Sequence, residues 1–94
     1  MSLFPSEFSP RVLKEISKFD PVTRKRIGNK IDALEEDPFP KEVERVEGYK
    51  DEKVFRVRVG DYRILYLVRY NPNKLIIVKV DKRARVYGKF DWRI

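Results

Sequence analysis

Apolar positions in the first third of the chain recur at helical spacing. Val12, Leu13, Ile16 and Phe19 form one such stripe, and Ile27, Ile31 and Leu34 form a second. Ser9-Pro10 opens the first stripe with a hydroxyl N-cap and a proline at the first helical position, where its missing N–H costs nothing. A helix is therefore expected over 10–18. Asp20-Pro21 repeats the device, and a second helix should end near Asp37, ahead of Pro38. So short a connection makes the pair an antiparallel hairpin. Gly28 lies inside the second helix, where glycine costs about 1 kcal/mol relative to alanine, and close backbone packing is the expected reason. Upstream, Phe4 and Phe8 flank Pro5, so residues 2–8 read as a short strand. Because the proline cannot donate, that strand belongs at a sheet edge.

Residues 37–52 carry two prolines, a glycine and no sustained period, and read as a loop leading to a sheet. From Lys53 the period changes to two. Phe55, Val57 and Val59 alternate with Val54, Arg56 and Arg58, so one face is apolar and the other presents two arginines about 6–7 Å apart. Gly60-Asp61 marks a tight turn. The next run, YRILYLVRY, is apolar on both faces between Arg63 and Arg69, the pattern of a central strand covered on two sides. Asn71-Pro72-Asn73 turns the chain into a last strand over 74–80, and a basic tail follows. The expected fold is α+β: an N-terminal strand and a helical hairpin packed on an antiparallel β-sheet, with residues 1–94 forming a single domain.

Composition removes whole classes of chemistry. The chain has neither Cys nor His, which excludes disulfide scaffolds, thiol nucleophiles, zinc sites and Ser-His-Asp catalysis. So small a domain has a shallow site, and no cofactor is expected. No apolar run approaches the roughly 20 residues of a membrane span, and the N-terminus lacks a secretory pattern, so a cytoplasmic protein is expected.

Charge then points to a partner. Residues 1–47 carry 9 Lys+Arg against 10 Asp+Glu, whereas residues 48–94 carry 13 against 5. A field concentrated in one half attracts phosphate polyanions or an acidic protein segment. Arg56, Arg58 and Arg63 fall on adjacent strands, and Arg83, Arg85 and Tyr87 follow the last strand, so they can converge on one surface. Arginine grips phosphate in two-point fashion and tyrosine stacks on unpaired bases, which describes a single-stranded RNA site. Taken alone, Arg56 and Arg58 equally suit a solvated strand face, and Tyr87 a hydrophobic latch. With carboxylates sparse in the basic half, no metal site is expected. The remaining chemistry is attack by an RNA 2′-hydroxyl on its neighbouring phosphate, with fixed cations stabilising the added charge.

The run VFRVRVGDYRILYLV followed by VKVDKRARVY, with the opening FSPRVLKEISKFDP, resembles the RelE/ParE superfamily of toxin-antitoxin toxins, and most of all its RelE-type mRNA interferases. The likeness spans nearly the whole chain. It implies a ribosome-dependent endoribonuclease that cuts A-site codons and leaves a 2′,3′-cyclic phosphate and a 5′-hydroxyl. By motif, the catalytic positions are Arg56, Arg58, Arg63, Arg83 and Tyr87. Arg63 and Arg83 would stabilise charge on the phosphate, Tyr87 would orient the nucleotide, and Lys82, Arg85 and Lys89 would contact RNA. Several family members have lysine where this chain has Arg56 and Arg58, and arginine cannot serve as a proton acceptor. Tyr87, a ribosomal group or electrostatics alone could fill that role. The resemblance also implies a RelB-like antitoxin that wraps the toxin in a hetero-oligomer. Two alternatives share the fold: a ParE-like inhibitor of DNA gyrase without catalysis of its own, and a weakened member that retains antitoxin binding.

Overall fold

A computed structural model of the chain describes residues 3–46 and 52–82. Their elements are β1 (Ser6–Phe8), α1 (Pro10–Ser17), α2 (Pro21–Glu36), β2 (Glu44–Val46), β3 (Val54–Val59), β4 (Tyr62–Arg69) and β5 (Lys74–Asp81). Both helices start as their caps dictate. The Ser9 hydroxyl accepts from the Val12 N–H at 3.1 Å, and the Asp20 carboxylate accepts from the Thr23 N–H at 3.2 Å and the Thr23 hydroxyl at 2.6 Å. At the far end of α2, Asp37 turns extended, as a residue before proline should.

The sheet has the order β1-β5-β4-β3-β2. Strands β3, β4 and β5 form the expected antiparallel meander. Two features differ from the sequence reading. First, β1 starts only at Ser6 and pairs parallel with β5, through Ser6↔Leu75 to Phe8↔Ile77, so the sheet is mixed rather than antiparallel throughout. It does lie at the edge, where the Pro5 carbonyl accepts from the Leu75 N–H at 2.9 Å. Second, the segment read as a loop contains β2, antiparallel to β3. Three residues are too few to display a period, and only Val46 of the three is buried.

Apolar side chains pack on both faces of the sheet. On one face Val12, Ile27, Ile31 and Leu34 from the helices meet Val57, Ile64, Tyr66, Leu75, Ile77 and Val80. On the other, Val46, Val54, Leu65, Leu67 and Val78 form a second cluster. Strand β4 therefore contributes to two cores, as its unbroken apolar run requires. Between Leu65↔Lys79 and Tyr66↔Ile77 the register slips, leaving Val78 as the extra residue of a bulge. Leu13 does not join the helical stripe and stays exposed.

The two glycines singled out by the sequence behave differently. Gly60, at φ 58°, makes the tight β3–β4 turn, and a Cβ there would lie 2.9 Å from Arg26 Nη2. A Cβ at Gly28 would meet nothing within 4 Å, which overturns the expectation of close backbone packing. Gly28→Ala should therefore stabilise the protein by about 1 kcal/mol, raising the melting temperature by about 4–8 °C. Gly60→Ala should lower it by a similar or larger amount, since the left-handed backbone costs about 1–2 kcal/mol for a side chain. Thermal denaturation followed by circular dichroism checks both.

Candidate nucleic-acid interface

Alternation along β3 sends Phe55, Val57 and Val59 toward the helices. Arg56 and Arg58 take the opposite face, in line with buried Val54. The β3–β4 register makes Arg58 and Arg63 direct cross-strand partners, so their side chains leave the sheet on the same side. Like charges directly opposite each other destabilise a sheet, so this pair is not there for stability. Arg58 is exposed, and Arg63 Nη1 donates to the Asp61 carbonyl at 3.3 Å. On its other side, Arg63 pairs in register with Asp81 of β5. Asp81 accepts from the Lys82 N–H at 2.6 Å and lies 3.9 Å from Lys79 Nζ, which is also 3.3 Å from Glu15 of α1.

Sequence reasoning missed Glu44. The register of β2 places it opposite Arg56, and its Oε1 accepts from both Nε, at 3.0 Å, and Nη2 of that guanidinium. The hydrogen bond from Arg56 holds the Glu44 carboxyl below its usual range, aided by the charges of Arg56, Arg58 and Arg63. Glu42 is lowered by its bond from Lys30, and Glu52 by its bond from Arg69. A depressed carboxyl contributes stability that is complete above its unfolded value, here 4.5, and is lost as pH falls through its folded value. The melting temperature should accordingly hold from pH 7 to about 5 and decline on further acidification. Glu44→Gln should show a shallower decline in the same pH series.

Among the sequence-predicted positions, the sheet thus brings together Arg56, Arg58 and Arg63. Lys82 is exposed where the chain leaves β5, beside the partner of Arg63. Arg83, Arg85, Tyr87 and Lys89 lie outside the described residues. Two clefts flank Tyr62 at this corner, one reaching Arg26 and Asp61 and the other Glu15, Phe19 and Asp81, and both include Lys82. Neither cleft includes Arg56, Arg58 or Arg63, which lie on the sheet face opposite the helices.

Comparison with known proteins agrees with this fold. Residues 7–87 match the family model described as the ParE toxin of the type II toxin-antitoxin system parDE. A protein of Methanocaldococcus jannaschii that carries the toxin name RelE1 is 33% identical over 87 residues, covering 89% of this chain and 94% of that one. The archaeal RelE-RelB complex from Pyrococcus horikoshii contains a chain that superposes with a TM-score of 0.75 at 29% identity, covering 88% of this chain and 98% of that one. The isolated RelE toxin of E. coli superposes with a TM-score of 0.68 at 25% identity, covering 92% and 93%. No helix among the described residues is long and apolar enough to cross a membrane. With two helices on one face of a five-stranded mixed sheet among its described residues, and with sequence similarity over most of its length, this chain belongs to the RelE/ParE family of type II toxin-antitoxin toxins.

Proposed function

We propose that this toxin is a ribosome-dependent mRNA endoribonuclease that needs no metal, acts in the cytoplasm on A-site codons, and is held in check by a RelB-like antitoxin. The observation that carries the reading is the Arg58–Arg63 cross-strand pair, two like charges held side by side on the sheet face opposite the helices. A phosphodiester is the ligand that relieves such a pair, because each guanidinium can donate to a non-bridging oxygen. The 2′-oxygen of the preceding ribose attacks phosphorus, the P–O5′ bond breaks, and the products are a 2′,3′-cyclic phosphate and a 5′-hydroxyl. Charge on the phosphoryl oxygens rises in the transition state, where fixed cations act most strongly. Arg83 follows Asp81 by two residues and would stabilise the charge on the leaving 5′-oxygen, which takes its proton from solvent, and Tyr87 would stack on the nucleotide. The 2′-hydroxyl proton passes to Tyr87 in its phenolate form, which the surrounding positive charge favours, or to a group of the ribosome or RNA, since neither Arg56 nor Arg58 can accept it.

The partner reading has its own support in the Pyrococcus relative, which is found with RelB. The test is a cell-free translation reaction with one defined mRNA, in which new 5′ ends are mapped by primer extension and naked RNA serves as control. Cuts in frame with codons, seen only with ribosomes present, are expected. The ParE family match favours a second reading, a gyrase poison. Intact mRNA together with toxin-dependent DNA cleavage by purified gyrase would select it.

A further inference from the structure

The three arginines of the basic face are not equivalent. Arg56 stands opposite an acid, Glu44, and gives it the Nε–Nη2 edge of its guanidinium. That edge is one a phosphate would use for a two-point grip. The Arg56 side chain is only 20% exposed, whereas Arg58 is an exposed residue. Arg58 faces Arg63, and beyond Arg63 the acid Asp81 is already engaged by the Lys82 N–H, with Lys79 at 3.9 Å. Among the described residues, Arg58 thus stands in register with another arginine, and Arg63 shares its in-register acid Asp81 with the Lys82 N–H and Lys79, while Arg56 and Glu44 form an opposite-charge pair of the kind that stabilises adjacent strands.

We infer that Glu44 is a positioning residue, which holds Arg56 in a fixed ion pair on the sheet so that, of the three strand arginines, Arg58 and Arg63 grip the substrate phosphate and Arg56 does not. This deepens the endoribonuclease reading and rests on it only for the identity of the anion. To reach the same edge of Arg56, a phosphate would have to displace a carboxylate held by two charge-assisted bonds. Arg58 and Arg63 need only shed water and, for Arg63, the 3.3 Å contact to the Asp61 carbonyl. The role of Arg56 is then to anchor β2 to β3 and set the edge of the phosphate position.

Salt dependence counts phosphate contacts and so separates the two kinds of arginine. The probe is a fluorescent 2′-O-methyl oligoribonucleotide, which lacks the attacking hydroxyl and cannot be cut, titrated by anisotropy between 50 and 200 mM salt. Each lost contact on a single strand should flatten the slope of log K against log salt by about 0.7. Arg58→Ala and Arg63→Ala should each show that loss, and Arg56→Ala should keep the wild-type slope. Glu44→Ala, which releases Arg56, should steepen it by up to about 0.7. A slope flattened as much by Arg56→Ala as by Arg58→Ala would overturn the inference.

A second measurement does not depend on RNA. Inorganic phosphate is titrated into the wild-type protein while the Nε resonances of the arginines are followed by NMR. Arg58 and Arg63 should shift and Arg56 should not, until Glu44 is replaced. Movement of Arg56 in the wild type, or of none of the three, overturns the proposal. Phosphate shifts at Arg58 and Arg63 without oligonucleotide binding would instead remove the RNA reading and leave the ion pair standing.

Discussion

Replacing Arg63 by alanine is expected to slow ribosome-dependent cleavage by about 10²–10³-fold, the usual loss when one fixed donor to a transition-state oxyanion is removed. The fold should survive. Arg63 lies at the start of β4, outside the apolar clusters, and its removal relieves the repulsion with Arg58 across the strand pair. Its hydrogen bond to the Asp61 carbonyl, at 3.3 Å, closes a turn that Gly60 already shapes. Arg63→Lys keeps the charge and loses the planar fork, so it should fall between wild type and alanine. The readout is the rate at which new 5′ ends appear in the translation reaction, with the melting temperature as control. A wild-type rate in Arg63→Ala would remove Arg63 from the site. A gyrase poison would show no cleavage in either protein, so the two failures differ.

Much of the scaffold around this residue is legible in the sequence because it depends on local chemistry. Ser9-Pro10 and Asp20-Pro21 name the helix starts, and the caps bond as their side chains require. The alternation of β3 predicts which residues face the helices, and the unbroken run of β4 predicts burial on both sides. What escapes is decided by partners distant in sequence. The direction of β1 is set by pairing with β5, nearly 70 residues later, and no hairpin constrains it. Strand β2 exists because β3 supplies its hydrogen bonds; its own three residues carry no readable period. Leu13 fits the helical spacing as well as Val12 does, yet only Val12 points inward, because the narrow stripe of an eight-residue helix admits few positions.

The site shows the same division. Periodicity and register place Arg56, Arg58 and Arg63 on one face, as a reader of the sequence would expect. The acid that distinguishes Arg56 from the other two sits in a segment whose sequence carries no strand period, so only the register of the edge strand reveals its contact. The cost of glycine inside α2 predicts a packing reason for Gly28, but the space beside it is open. The unbroken apolar run of β4 predicts burial on both its faces, whereas the cross-strand opposition of two like charges needs the register of the two-residue turn.

The largest effect on stability is expected at Tyr66. Its side chain is completely buried in the middle of β4, and its hydroxyl donates to the Pro38 carbonyl at 2.7 Å, tying the central strand to the chain just after α2. The ring also lies 6.0 Å from Phe55, which meets Phe39 edge-on at 5.1 Å. Burial, reinforced by the charges of Asp37 and Glu42, pushes the phenol well above its ordinary value of 10.0, so the hydroxyl remains a donor throughout the working range. Tyr66→Phe keeps the ring and leaves the Pro38 carbonyl without this donor, at a cost of about 1–3 kcal/mol. Tyr66→Ala also opens a cavity where both helices meet the sheet, at a cost of about 3–5 kcal/mol. Against a total stability of about 5–15 kcal/mol for a domain, that removes a large part of the margin. At about 4–8 °C per kcal/mol for a chain of this size, the melting temperature should drop by roughly 12–40 °C. Urea denaturation and thermal scans on the wild type and both variants measure the ring and the hydroxyl separately. Should Tyr66→Ala melt within a few degrees of Tyr66→Phe, the ring contributes little and the sheet is held from elsewhere. The expected wide gap between them would show that the strand presenting Arg63 depends on a side chain from its opposite, helix-facing side.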